Sequence, residues 1–438
     1  MTDSGDAKMG IWMTSALVVG TIIGAAIFML PVALAPLGAN ALIGWLVSGI
    51  GIMCIAYALA QLSRLGGDGI QANIEREFGP TMAFLAAWAF WVSNWVAQAS
   101  VAVAIGSTAS FIVPELAGHD HILQVGIGCV VFLTAVNAIG VRASGGLSIV
   151  TVAIKVVPLL AVIWLAVQRG ASGSDYQQLA PVPIAIASIA TATALTFFAL
   201  TGFEGATAPV CKVRDASRTI PRAILGGTAF VALLYLLAGS SIQLLLPANA
   251  IVNSPAPFAD AMVSRWGQGV AVIAALAISI SAFGCLNGLI LATGELGYSM
   301  ALRGDLPAAL ARTRGANTPI VSQLVASGMT ILLLLANTSR STANLYTFIV
   351  LLSAAGCIVL YFISSLAAWK SSQTIRARSI VILALLFTLF AAYGTGLEAS
   401  LWCLVLLAAG LAIRAVMRRL SSLAPSPVPE AAPAAPRE

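Results

Sequence analysis

The sequence predicts an all-α membrane protein: twelve transmembrane helices in a five-plus-five inverted repeat, with discontinuous helices 1 and 6. Three observations carry this. The 438 residues are 59% hydrophobic and 9% charged, with a mean hydropathy of +0.97, whereas soluble domains carry about 25% charged residues. Twelve windows are apolar over lengths near the roughly 20 residues a helix needs to cross the hydrocarbon. The first and sixth windows are broken at mid-membrane by small residues, at equivalent places if windows 1–5 and 6–10 are two repeats.

The first span, 11–36, follows a polar N-terminal segment, 1–10, whose only basic residue is Lys8. It is long and runs through Pro31 with no small-residue cleavage site that stands out, so it reads as a retained span and not a signal peptide. Its centre is Gly20-Thr-Ile-Ile-Gly-Ala-Ala26. Spans 40–62, 82–113, 123–140 and 147–168 complete the first repeat; the third carries Ser93, Asn94 and Gln98, and the fifth Lys155. The sixth, 185–211, is interrupted at Ala199-Leu-Thr-Gly-Phe-Glu-Gly205. Spans 223–246, 269–300, 319–337 and 343–368 complete the second repeat, and 379–396 and 398–416 follow. The remaining segment, 417–438, is rich in Pro, Ala and Ser from Ser421 onward, cannot bury a core, and is expected to be disordered.

Charge sets the orientation. With the N-terminus taken as cytoplasmic, eighteen of the 22 Lys and Arg residues fall on the inner side, Arg169, Arg265 and Arg340 on the outer, and Lys155 in the membrane. Both termini are then cytoplasmic. The pI of about 9.2 is a signature of topology, concentrated in inner loops such as Lys212-Val-Arg-Asp-Ala-Ser-Arg-Thr-Ile-Pro-Arg222, and does not argue for nucleic-acid binding. Six cysteines (54, 129, 211, 285, 357 and 403) are scattered without paired spacing, which indicates neither a disulfide framework nor a metal site. His119-Asp120-His121 is a weak match to any metal geometry and reads as a solvated loop. No His/Ser/Asp or Cys/His set lies within the membrane and no GxxxxGK[ST] loop is present, so the pattern indicates no enzyme, no ATP-driven pump and no cofactor. A channel would need a continuous polar path, which no span displays.

Lys155 and Glu204 lie well inside long hydrophobic stretches. A charge near the bilayer centre costs roughly 2.5–3.5 kcal/mol on insertion scales, so it faces a partner or a water-filled cavity and marks function. The two interrupted spans point the same way. Broken turns free backbone N–H and C=O groups at the midplane to hold a polar substrate, the half-helix N-termini favouring a carboxylate and the C-terminal ends an ammonium group. Small residues also serve simple close packing; two breaks at corresponding positions, one carrying a glutamate, favour transport.

At these positions Gly24-Ala-Ala-Ile-Phe-Met-Leu-Pro31 resembles the GSGIFxLP signature of the first helix in the amino acid, polyamine and organocation (APC) transporter superfamily. Gly202-Phe-Glu204 followed by Arg218-Thr-Ile-Pro-Arg-Ala223 is similar to that family's GxE and (K/R)xxPxA loop, and Asn287-Gly288 and Ala301-Leu-Arg-Gly-Asp-Leu-Pro307 continue the match. The resemblance covers residues 9 to 416 and is strongest to the bacterial basic amino acid and polyamine antiporters, the arginine/agmatine antiporter pattern among them. It implies that 11–416 is a twelve-helix inner-membrane carrier of amino acids or amines, working by alternating access within the lipid bilayer; a homodimer is left open.

Carried over by motif, the backbone at Ile22, Ile23, Gly24, Ala25 and Ala26, with Thr21 beside it, would hold the substrate carboxylate. The unwound stretch Phe198, Ala199, Leu200, Thr201 and Gly202 would hold its α-amino group, and Glu204 would couple binding to protonation. Ser93, Asn94 and Gln98 match substrate-facing positions; Asn94 and Gln98 lie four apart on one helix face, with interhelical hydrogen bonding as their other reading. Phe198 matches an aromatic gate and Ser353 a tenth-helix hydroxyl.

Some positions depart from the antiporter pattern: Ala25 and Ala26 replace Ser-Gly, Thr21 replaces Asn, and Phe198 and Leu289 stand where Trp occurs. A carboxylate contact is lost, and so are two indoles that could embrace a long cationic side chain. Glu295, where the family usually has Arg or Gln, reads as interfacial. Lys155 sits about 12 Å beyond the start of its span at 1.5 Å per residue. Proton-coupled and sodium-independent members of the superfamily carry a lysine here, so the resemblance implies a built-in substitute for sodium. Two functions stay open: exchange of an amino acid for a related amine or amino acid with Glu204 sensing charge, and proton-coupled uptake of a neutral amino acid with Lys155 carrying the proton.

Overall fold

The computed structural model describes residues 10–64, 69–139, 147–204, 213–314 and 318–423. The first repeat comprises α1 (Ile11–Ile22), α2 (Ala26–Leu34), α3 (Ala39–Arg64), α4 (Ile70–Phe78), α5 (Pro80–Ile112), α6 (His119–Ile139) and α7 (Leu147–Ala171). The second comprises α8 (Ile186–Ala199), α9 (Ala216–Leu245), α10 (Ala248–Asn253), α11 (Pro257–Leu302), α12 (Ile320–Ala336) and α13 (Thr342–Ser371), and α14 (Ile375–Gly394) and α15 (Gly396–Leu423) follow. Each of the twelve windows finds helix.

Local chemistry sets the boundaries. Pro80 and Pro257 open α5 and α11 at the first turn, where a missing N–H costs nothing. The side chains of Ser341 and Thr374 accept from the N–H groups of Asn344 and Ala377, capping α13 and α14. α1 and α2 are two pieces of one span bent by 44°.

Among the described residues nine helices are long and apolar enough to cross a membrane, and the bent pair makes a tenth. The sixth and ninth spans are shorter, with 14 residues in α8 and 17 in α12. α8 is short because it stops at the break; its window beyond Glu204 lies outside the described residues. Other departures from expectation are local. α4 and α10 are short helices that no apolar window announced, and α15 continues as helix to Leu423, past 416. His119 to His121 form the first turn of α6 and not a loop, with His119 Nδ1 3.1 Å from Thr342 Oγ1.

Packing shows the repeat directly. If α1/α2, α3, α5, α6 and α7 correspond to α8, α9, α11, α12 and α13, the principal neighbour pairs have counterparts. α5 packs on α6 and α13 as α11 packs on α12 and α7; α3 packs on α8 and α13 as α9 packs on α1 and α7; and α3 with α9 and α5 with α11 are self-corresponding pairs. Five spans is an odd number, so the second repeat enters from the opposite face and is inverted. Close helix approach uses small residues: a Cβ at Gly44 would lie 2.5 Å from that of Ala192, seating α3 on α8.

Candidate functional site

The break in the first span begins where α1 runs out. The N–H of Gly24 turns to the Ile22 carbonyl at 2.7 Å in place of continuing the helical ladder to Gly20. The Gly20 carbonyl is thereby released, and Lys155 Nζ lies 3.4 Å from it. Lys155 is 8% exposed, so an ammonium deep in α7 meets the negative end of α1. Tyr235 of α9 donates to the Ile22 carbonyl at 3.3 Å and Tyr346 of α13 to the Ala26 carbonyl at 2.8 Å, which fixes both sides of the break. α2 then starts at Ala26, and its first amides have no preceding turn to supply acceptors.

The break in the sixth span is built differently. α8 ends with Leu200 and Thr201 donating backbone N–H groups back to Phe197 and Phe198 at 3.0 and 3.2 Å. Gly202 follows with φ of +112°. A side chain there would also have no room: a Cβ would lie 2.7 Å from the Thr21 carbonyl oxygen. The two breaks therefore touch through bare backbone, and only glycine satisfies both the dihedral and the contact. Glu204 Oε2 accepts from the Gly202 N–H at 3.1 Å and from the Tyr361 hydroxyl at 2.5 Å. Tyr361 is held in turn by stacking on Phe203, ring centroids 5.4 Å apart.

Around this contact lies a cavity walled by both broken spans and by two long helices. One wall is the broken spans, with Thr21, Ile22, Gly24, Ala25 and Ala26 from one and Phe198, Thr201, Gly202 and Glu204 from the other. The facing wall is α5 and α11, with Ser93, Asn94 and Leu289. Sequence reasoning had singled out all of these. Ala199, from the expected unwound stretch, lines it too; Phe90, Ala97, Val101, Cys285 and Cys357 also line the cavity and were missed. A signal existed for α5, since 90, 94, 97 and 101 follow helical spacing from Asn94.

The remaining predicted residues do not line it. Ile23 and Leu200 are fully buried in the core. Gln98 turns away, its amide bonding Thr293 Oγ1 at 3.0 Å and Thr330 Oγ1 at 3.2 Å, which joins α5 to α11 and α12. Ser353 sits behind the wall, donating to the Ser93 carbonyl at 2.8 Å, while the Ser93 hydroxyl donates to the Ser353 carbonyl at the same distance. Lys155 meets the Gly20 carbonyl at 3.4 Å and is not among the residues lining the cavity. Glu295 is exposed on α11.

Access is asymmetric. Every residue of α2 from Ile27 to Leu34 is buried, and α2 packs on α5, α8, α9, α10, α11 and α13. α1 packs chiefly on α9 and α7, buries only Thr14, Val18 and Ile22, and leaves Thr21 exposed at the break. The cavity is enclosed along α2, whereas on the α1 side Thr21 is exposed at the break.

Two discontinuous spans meeting over one cavity, within an inverted repeat, define the class: a multi-pass membrane carrier, not an enzyme. The chain belongs to the amino acid permease family, whose sequence pattern matches residues 9–410. Among curated relatives it is 25% identical over 408 residues to the putrescine transporter PotE of Haemophilus influenzae, covering 90% of this chain and 93% of that one. It is 26% identical to a putative arginine/ornithine antiporter of Bacillus subtilis, over 83% of this chain and 84% of that one. It is 28% identical to the serine/threonine exchanger SteT of the same organism, over 70% of each. The fold is that of the crystal structure of MhsT in complex with L-phenylalanine, with a TM-score of 0.59 at 14% identity, spanning 91% of this chain and 98% of that one. It is accordingly a multi-pass inner-membrane protein.

Proposed function

We propose that this protein is an amino acid/amine antiporter working by alternating access, with both termini in the cytoplasm. The observation that carries the reading is the backbone contact of Gly202 with Thr21, which brings both helix breaks onto one cavity. The first amides of α2, around Ala25 and Ala26, receive the substrate carboxylate at the positive end of a half-helix. The carbonyls where α8 stops, at Ala199 and Leu200, receive its α-amino group. Glu204, tied to α13 through Tyr361 and to the break through Gly202, links the charge of the cavity to the position of the sixth span. Orientation is supported by the eighteen Lys and Arg residues on the N-terminal side.

The motif resemblance is to the arginine/agmatine pattern, from which Phe198 and Leu289 depart by standing where Trp occurs. The matched relatives are named for putrescine, for arginine and ornithine, and for serine and threonine, so cationic and neutral substrates both belong in the first panel. The test is counterflow in proteoliposomes: radiolabelled substrate should enter only when unlabelled substrate is inside, and a pH gradient alone should not drive accumulation. A second reading, proton-coupled uptake, is favoured by one observation, the Lys155 ammonium 3.4 Å from the Gly20 carbonyl. Under that reading an imposed gradient drives accumulation without internal substrate, and Lys155→Ala abolishes it.

A further inference from the structure

We infer that the α5 and α11 wall of this cavity makes it a site for neutral aliphatic amino acids and turns away substrates with a second cationic group. The inference rests on the exchange reading for the backbone half of the site. Polar groups are concentrated on the broken spans, and the hydroxyls there are already engaged: Thr21 Oγ1 donates to the Val18 carbonyl at 2.9 Å and Thr201 Oγ1 to the Phe198 carbonyl at 2.7 Å. The Ser93 hydroxyl is engaged likewise with α13. The charged lining group among the described residues, Glu204, has Oε2 occupied by Gly202 and Tyr361, on the broken-span side.

A substrate anchored there by its carboxylate and α-amino group extends its side chain against Phe90, Ala97, Val101, Cys285 and Leu289. The free polar handle on this wall is the amide of Asn94, which makes no protein hydrogen bond among the described residues and is neutral. An ammonium or guanidinium pressed on Val101 and Leu289 loses its water and finds no carboxylate, whereas an alkyl group gains by leaving water. The exclusion is one of charge, since this wall carries no carboxylate among the described residues. Leu289 is then the specificity-determining position: it is half-buried and lines the cavity on the α11 side.

The experiment measures equilibrium binding and counterflow of leucine, alanine, arginine and agmatine with the purified, reconstituted protein. Leucine is expected to outcompete arginine and agmatine by at least about a hundredfold. Leu289→Asp, which places a carboxylate on the wall, is expected to bring arginine to parity with leucine or beyond it, and Leu289→Asn, without the charge, is not. Arginine or agmatine matching leucine in the unaltered protein overturns the inference and leaves exchange standing. Leucine binding without counterflow overturns exchange and leaves the substrate class standing. Should Leu289→Asp fail to fold, the ratio in the unaltered protein decides alone.

Discussion

Gly202 is the residue at which the two repeats meet, and its requirement is stricter than the flexibility usually asked of glycine. A methyl group there would both adopt an unfavourable positive φ and press on the Thr21 carbonyl at 2.7 Å. Held strain of this kind costs about 1–3 kcal/mol, and relief by moving apart would unseat the two breaks from one another. Gly202→Ala is therefore expected to insert and purify normally yet lose about tenfold or more of its counterflow rate, a comparison made at equal reconstituted protein. The residues of the breaks were legible because glycine, alanine and glutamate are conspicuous in an apolar span. Tyr361 was not, because it reaches Glu204 from 157 positions away, and nothing in an apolar helix distinguishes a tyrosine that packs from one that donates. The separation of Asn94 from Gln98 shows the limit of helical spacing: four residues advance the helix by about 40°, enough to send one side chain into the cavity and the other between helices.

Elements differ in how much of their placement the sequence announces. The spans were visible as apolar windows, and their pairing followed once a repeat was assumed. The anchoring of the last span was not visible, since it depends on charges that looked like loop residues. Asp305, in the turn after α11, meets Arg414 of α15 at 2.6 Å, and the pair is nearly inaccessible, at 5% and 4% exposed. Arg414 also donates to Thr81 Oγ1 at 2.7 Å and lies over the Phe84 ring. α15 is thus pinned to the start of α5 and the end of α11. Removing one partner of a buried pair leaves a charge uncompensated at a cost of about 3–5 kcal/mol, whereas an exposed pair is worth under about 1 kcal/mol. Asp305→Asn should lower the unfolding midpoint in detergent sharply. Glu75→Gln, which breaks the exposed 2.9 Å pair with Arg303, should leave it nearly unchanged, and replacing both Asp305 and Arg414 by leucine should recover most of the loss.

At the scale of the whole molecule the sequence described a symmetric object and the structure describes an asymmetric one. The repeats are equivalent in sequence position, yet α2 is enclosed on all sides while its continuation α1 stands away from α5 and α11. A composition-based reading cannot see this, because composition does not record which helix faces are covered by neighbours. The asymmetry has a chemical consequence at Cys285, which lines the cavity and lies against the first break, where a Cβ on Gly24 would come 3.3 Å from its sulfur. A bulky, membrane-impermeant thiol reagent should reach Cys285 from the N-terminal face and not from the other, in a variant where the remaining cysteines are replaced by serine or alanine. Saturating substrate should slow the reaction, since the reagent and the substrate would occupy the same volume. Equal labelling from both faces would mean that the closure along α2 is not the resting state in the membrane. Labelling from the N-terminal face that is unaffected by any amino acid would mean that the cavity is not where substrate binds.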